Sequence, residues 1–313
     1  MKRFVLEVAA FLALQAAIAA GVEWTYRREI GGRHFLAALE DKERRLQTVR
    51  PPRVLLVGGS SLAFGVNSQE LAQAFGVPVL NLAVHAGLGL DLILRQAERG
   101  LVPGDRVLLS PEYRLLDQGS PFDSSTVWQA ILIAPSTARD VGAHALPQLL
   151  DDGLVLPRHR LLALWEFWRH GRPQSLYWRY GFDERGDFIG HLEQPSLQAG
   201  GKHARVPPPE ELADAVARLS RFAARARSLG VEVVILPAPF PADDEPSRRD
   251  AVARIWRTIS QETGMRVIPV WSPDRSLFYD TEYHLTREGR QAHTEQILRA
   301  LEQPAAGVDA SGP

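Results

Sequence analysis

The sequence has no cysteine. That excludes disulfides, thiol catalysis and thiolate zinc sites, while leaving the compartment open. It also lacks a charge excess. Its 36 Lys and Arg offset 37 Asp and Glu, for a formal net charge of -1, which gives no support for nucleic-acid binding. No internal repeat stands out. Gly87-Leu88-Gly89 lacks the third glycine of a dinucleotide fingerprint, which argues against a bound nucleotide. The acidic run Asp243-Asp244-Glu245 has no histidine nearby and reads as a solvated run. The segment from Gly181 to Asp187 lacks the acidic pattern of a calcium loop and reads as a surface turn. Neither a metal nor a cofactor is expected.

What is present fits one fairly large globular domain, or one domain with an insertion: 313 residues, 45% of them hydrophobic. A long apolar run, Phe4 to Val22, follows Met1-Lys2-Arg3. As a helix at about 1.5 Å per residue it reaches about 28 Å, close to the bilayer core. Residues 1–22 therefore read as a membrane anchor or, given the small residues Ala17 and Ala19, as a cleaved signal peptide. Lys2 and Arg3 would stay in the cytoplasm. Both readings put the main domain outside it, the first with a single pass through the inner (cytoplasmic) membrane. Residues 23–52 read as a charged juxtamembrane helix and linker ended by Pro51-Pro52.

From Arg53 strands and helices alternate. Strands are expected at Arg53–Val57, Val77–Leu82, Arg106–Ser110, Val231–Leu236 and Met265–Val270. Helices are expected after Asn67, at Leu88–Glu98, across Leu212–Ala223, at Pro246–Glu262 and at Thr286–Leu301. The alternation lapses between the third and fourth strands. Residues 114–206 read as a helical insertion, with helices around Ser125–Ile133 and Arg160–Arg169. Sited after a strand's carboxyl end, such an insertion could cover a site as a lid. The pattern predicts a three-layer α/β domain over 53–302 with a parallel five-stranded sheet in the flavodoxin-like order. Residues 303–313 read as a disordered tail.

The candidate chemistry lies at the two ends of that domain. The first strand breaks into Gly58-Gly59-Ser60-Ser61, at the carboxyl edge where open α/β sheets bind ligands. Tyr279 to Thr286 carries Asp280 and His284 just before the last helix. Acyl transfer needs a nucleophile, a base and a group that orients the base. A serine of the first turn, His284 and Asp280 can fill those roles.

Gly59-Ser60-Ser61-Leu62-Ala63-Phe64-Gly65 resembles the Gly-Asp-Ser-x-x-x-Gly block of the SGNH (GDSL) hydrolase superfamily, with Ser60 in the Asp position. The resemblance selects Ser61 as nucleophile. Asn81 to Gly87 is similar to the second block, which implies Gly87, with Ser61, as an oxyanion-hole amide; Ala86 is the neighbouring alternative. Tyr279 to Gly289 resembles the last block. Two features depart from the pattern. The third strand ends Ser110-Pro111-Glu112-Tyr113, where the family offers an Asn to the oxyanion. The usual Asp-x-x-His spacing is here Asp280-x-x-x-His284. His85, Glu112 and Tyr113 are candidates for lining the substrate.

Together with the leading apolar segment, these motifs look like the membrane-anchored SGNH-like proteins of surface-polymer acylation. That likeness implies acyl, chiefly acetyl, transfer to or hydrolysis from an extracytoplasmic or periplasmic polysaccharide through an acyl-Ser61 intermediate. It also implies a membrane-bound O-acyltransferase as partner. The alternative is a non-catalytic accessory protein that binds the polymer or that acyltransferase.

Overall fold

The apolar run Arg53–Gly58 forms β1, an interior strand between β2 and β3 in a five-stranded all-parallel sheet whose strand order is β2-β1-β3-β4-β5. Its companions are β2 (Val79–Asn81), β3 (Asp105–Ser110), β4 (Glu232–Ile235) and β5 (Arg266–Val267). Every residue of β1 is buried, as expected of a parallel strand with both faces covered. The computed structural model describes residues 1–118, 122–153, 156–170, 177–197, 205–242 and 246–303. The acidic run at 243–245 and nearly all of the tail from 303 lie outside the described residues.

The helices are α1 (Lys2–Glu29), α2 (Ala38–Thr48), α3 (Ser60–Gly65), α4 (Ser68–Phe75), α5 (Leu90–Gly100), α6 (Ser124–Ile133), α7 (Leu146–Gly153), α8 (Leu156–His170), α9 (Ala213–Ser228), α10 (Pro246–Thr263) and α11 (Arg287–Glu302). Their ends follow the local chemistry. Asn67 caps α4, accepting the Glu70 amide, and Gly76 closes it in the left-handed conformation at φ 67°. Thr286 caps α11 by accepting the Gly289 amide. Strands β2, β4 and β5 are shorter than the sequence predicts, because pairing ends before the apolar runs do.

Helix α1 is long and apolar enough to cross a membrane, and no part of its apolar window is buried in the protein. Its carboxyl end packs on α8 through Tyr26, Ile30 and Leu164, with an ion pair between Glu23 and Arg160 at 3.1 Å. Although the sequence places residues 23–52 before the domain, Phe35, Leu36, Leu39 and Leu46 belong to the main core.

The surface turn expected at Gly181–Asp187 is a correction. Asp187 is fully buried and accepts from the Ser68 amide (2.8 Å), the Ser68 hydroxyl (2.5 Å), the Asn81 amide (2.9 Å) and Arg290 (2.7 Å). The next residue, Phe188, is stacked on Phe64, and its N–H donates to Ala63 O. The turn is therefore a clasp. Its buried carboxylate ties the insertion to α4, β2 and α11, and Phe188 ties it to α3, which a solvated loop would not do.

Candidate active site

Paired neighbours β1 and β3 end together, with Gly58 opposite Ser110. That register brings Glu112, just beyond β3, against the turn that opens α3. The close approach needs glycine. A Cβ on Gly58 would stand 2.3 Å from Ser110 O, and one on Gly59 would stand 2.5 Å from Glu112 Oε1. In the space so made, Glu112 Oε1 accepts the Ser61 N–H at 2.8 Å and the Ser60 hydroxyl at 3.3 Å. Glu112 is 2% exposed, and burial pushes its carboxyl above its ordinary range despite the Ser61 hydrogen bond and the charge of His284.

The other half forms on the loop before α11. Phe278 and Leu285 bridge across it, and Tyr279 N–H donates to His284 O at 2.7 Å. Thr281 Oγ1 accepts the Tyr283 and His284 amides. This tight loop turns Asp280 and His284 toward each other, with Oδ1 and Nδ1 2.8 Å apart. Tyr177 donates its hydroxyl to the second oxygen of Asp280. Burial opposes ionisation of Asp280, but the hydrogen bond and charge of His284, followed by the Tyr177 bond, hold its carboxyl below the ordinary value. The imidazole of His284 stacks on Phe64 with 3.9 Å between ring centroids and 11° between planes. Phe64 lies three residues after Ser61 on α3, so it shares that residue's side of the helix.

These groups border a cavity of about 820 Å³. Ser60, Phe64, His85, Tyr177, Asp280 and His284 stand at one side of it; Ile30, His34 and the α8 residues Ala163 and Phe167 close the other. Residues of the insertion therefore line this cavity, together with Ile30 at the carboxyl end of α1. Burial lowers His34 to about 4 and also lowers His85, which therefore favour the neutral form.

The residues singled out from sequence fall in two groups. Asp280, His284 and His85 line the cavity. Ser61, Gly87, Glu112 and Tyr113 are buried behind its wall. The Ser61 Oγ is buried without a hydrogen-bond partner among the described residues, whereas Ser60 faces the cavity. The two amides expected in the oxyanion hole are both occupied: Ser61 N–H by Glu112, and Gly87 N–H by His85 Nδ1 at 2.9 Å. Tyr113 does not reach the cavity because its hydroxyl is held in the core by Ala238 O at 2.8 Å. Sequence reasoning missed Tyr177, which sits in the insertion, outside every motif. It also missed Phe64 as the seat of the imidazole; its position one turn after Ser61 was the available signal. Among the described residues no group of three or more His, Asp or Glu is placed to hold a metal ion.

No protein-family model and no curated protein matches the chain.

Proposed function

We propose that this chain is a membrane-anchored, serine-dependent acyl-transfer enzyme of the SGNH type. Its flavodoxin-like domain lies outside the cytoplasm and works on the acyl groups of a surface or secreted polysaccharide. The observation that carries the reading is the Asp280–His284 pair at 2.8 Å, with its imidazole laid on Phe64 of the helix that bears Ser61. Supporting it are the Gly-Ser-Ser turn at the carboxyl edge of the sheet, the strand order β2-β1-β3-β4-β5, and the apolar helix α1.

In the proposed reaction Asp280 accepts from His284 Nδ1–H, which leaves Nε2 unprotonated to act as base. Ser61 Oγ attacks the acyl carbonyl carbon and gives its proton to Nε2. The new C–O bond forms as the carbonyl π electrons move to oxygen. Collapse breaks the bond to the leaving alcohol, which takes the proton back from Nε2. Water or a sugar hydroxyl then repeats the sequence on the acyl-serine. To act, Ser61 Oγ must swing toward His284. It has no hydrogen bond to break in doing so.

A second reading is favoured by one observation: both expected oxyanion amides are occupied by Glu112 and His85. Under it the chain is an accessory protein that binds polymer or a membrane-bound O-acyltransferase. A fluorophosphonate probe decides between them. The enzyme reading expects an adduct on Ser61, abolished in Ser61→Ala and retained in Ser60→Ala. A folded protein that takes no label, with polymer acylation unchanged in Ser61→Ala cells, overturns it. An adduct on Ser60 instead moves the nucleophile by one residue, to the serine that already faces the cavity.

A further inference from the structure

We propose that Glu112, as the neutral acid, is a hydrogen-bond donor to the oxyanion formed at Ser61. The inference rests on Ser61 being the nucleophile. When a serine attacks a carbonyl, the oxygen that gains charge comes within reach of that serine's own N–H. Here the Ser61 N–H points at Glu112 Oε1, 2.8 Å away. The Glu112 carboxyl therefore sits where the oxyanion must be stabilised. An ionised carboxylate beside an oxyanion would be two like charges at a buried position, which raises the barrier instead of lowering it.

Two escapes exist, and the surroundings favour one. Glu112 could swing out, but it is 2% exposed and packed against Gly59. Its neighbour Tyr113 is pinned to Ala238 O. Alternatively it could hold a proton. Among the described residues no cation forms an ion pair with it. The charged and titratable groups that act on it are His284 from the α11 loop, Arg114 from its own turn, and the buried Tyr283; its direct partners are Ser60 and Ser61 of α3. Burial outweighs the hydrogen bonds from Ser61 and Ser60 and the pull of Arg114, and pushes the carboxyl upward. A neutral Glu112 accepts the Ser61 N–H on its carbonyl oxygen and offers the proton on its other oxygen. A carboxylic acid held neutral in an apolar site is a known physical route to an oxyanion donor. No proton is transferred from Glu112. It donates a hydrogen bond that strengthens as charge develops, and this supplies the donor whose loss from a third-block Asn the sequence leaves unfilled.

The test is the pH profile of fluorophosphonate labelling, with p-nitrophenyl acetate hydrolysis alongside, on the full chain in nanodiscs. The wild type should lose rate on the alkaline side as Glu112 ionises. Glu112→Gln keeps a neutral donor at every pH; it should stay within about tenfold of the wild-type maximum and lose that alkaline fall. Glu112→Ala should fall by about 10²–10³ across the range. An alanine variant as fast as the wild type overturns the proposal and makes Glu112 a plug. A glutamine variant that keeps the alkaline fall also overturns it. Should the alanine variant fail to fold by circular dichroism, the glutamine profile decides alone. A wild type that forms no Ser61 adduct at any pH defeats the nucleophile reading as well; an adduct with the wrong Glu112→Gln profile defeats this inference only.

Discussion

Two polar clusters flank α3, and they are built differently. The cluster around Asp187 is saturated: its carboxylate takes four hydrogen bonds, from the Ser68 amide and hydroxyl, Asn81 and Arg290. Lys42, buried nearby, donates to Asn81 O and Gly186 O. The cluster around Ser61 is unfinished. Among the described residues its Ser61 hydroxyl has no partner, and Glu112, bonded to the Ser61 amide, is buried without an ion pair. Its histidine faces a cavity. A saturated buried network fixes a fold, whereas buried groups left short of partners carry a cost that natural sequences keep chiefly at working sites.

The largest effect should come from breaking the unfinished side. Ser61→Ala should cut acyl-transfer activity by about 10³-fold or more while changing stability by less than about 1 kcal/mol. Esterase kinetics paired with urea unfolding would check both halves. The mirror experiment breaks the saturated side. Asp187→Ala strips Arg290 of its buried partner and leaves three donors unpaired. It should destabilise the protein by about 3–5 kcal/mol, read as a lower urea midpoint. If Asp187→Ala were silent in stability and Ser61→Ala costly, the contrast would be inverted.

The asymmetry also explains what was legible beforehand. Ser61, Asp280 and His284 could be singled out because the strand–turn–helix pattern fixes where the Gly-Ser-Ser turn falls and because Asp280 and His284 sit close together in sequence, where the structure pairs them. The parallel sheet was legible for the same reason: apolar runs and Gly or Asn stops recur along Arg53–Val267. Asp187 read as part of a surface turn because Gly-Phe-Asp-Glu-Arg-Gly-Asp is polar by composition, and nothing local says that Arg290, over a hundred residues on, comes to meet it. The same limit hid the partner of Ser61. Glu112 was visible as a carboxylate just beyond the third strand, but its contact with the Ser61 amide depends on the β1–β3 register, a nonlocal fact.

Acid should loosen α3 from the structural side. His293 Nδ1 meets Gly65 O at 2.8 Å, at the far end of α3 from Ser61. Burial drives His293 down to about 4 from an ordinary 6.5. Its folded value is the lower one, so between those values the unfolded chain binds more protons and stability falls as pH drops. The contribution is fully present above about 6.5 and about 3 kcal/mol of it is lost on reaching pH 4. His293→Asn should flatten that part of the stability profile measured by urea unfolding from pH 7 to 4. An unchanged slope would assign the acid sensitivity to other groups, such as His191, which burial likewise lowers to about 4.

The smallest expected effect lies where the two sides join. Tyr177 belongs to the same inserted region as Asp187, yet its hydroxyl bonds Asp280, the hydrogen-bond partner of His284. Tyr177→Phe keeps the ring, which packs against Phe35, Phe64 and Phe188, and removes only the donor. One hydrogen bond to a charged group is worth about 1.5–3 kcal/mol at most. Asp280 remains bound to His284 and partly exposed, so water can replace part of that bond. Activity should therefore fall by about three- to tenfold, with stability within about 1 kcal/mol of wild type. A loss beyond a hundredfold would mean that the insertion aligns the pair and does not merely cover it. No loss at all would mean that Thr281 and the short loop position Asp280 unaided.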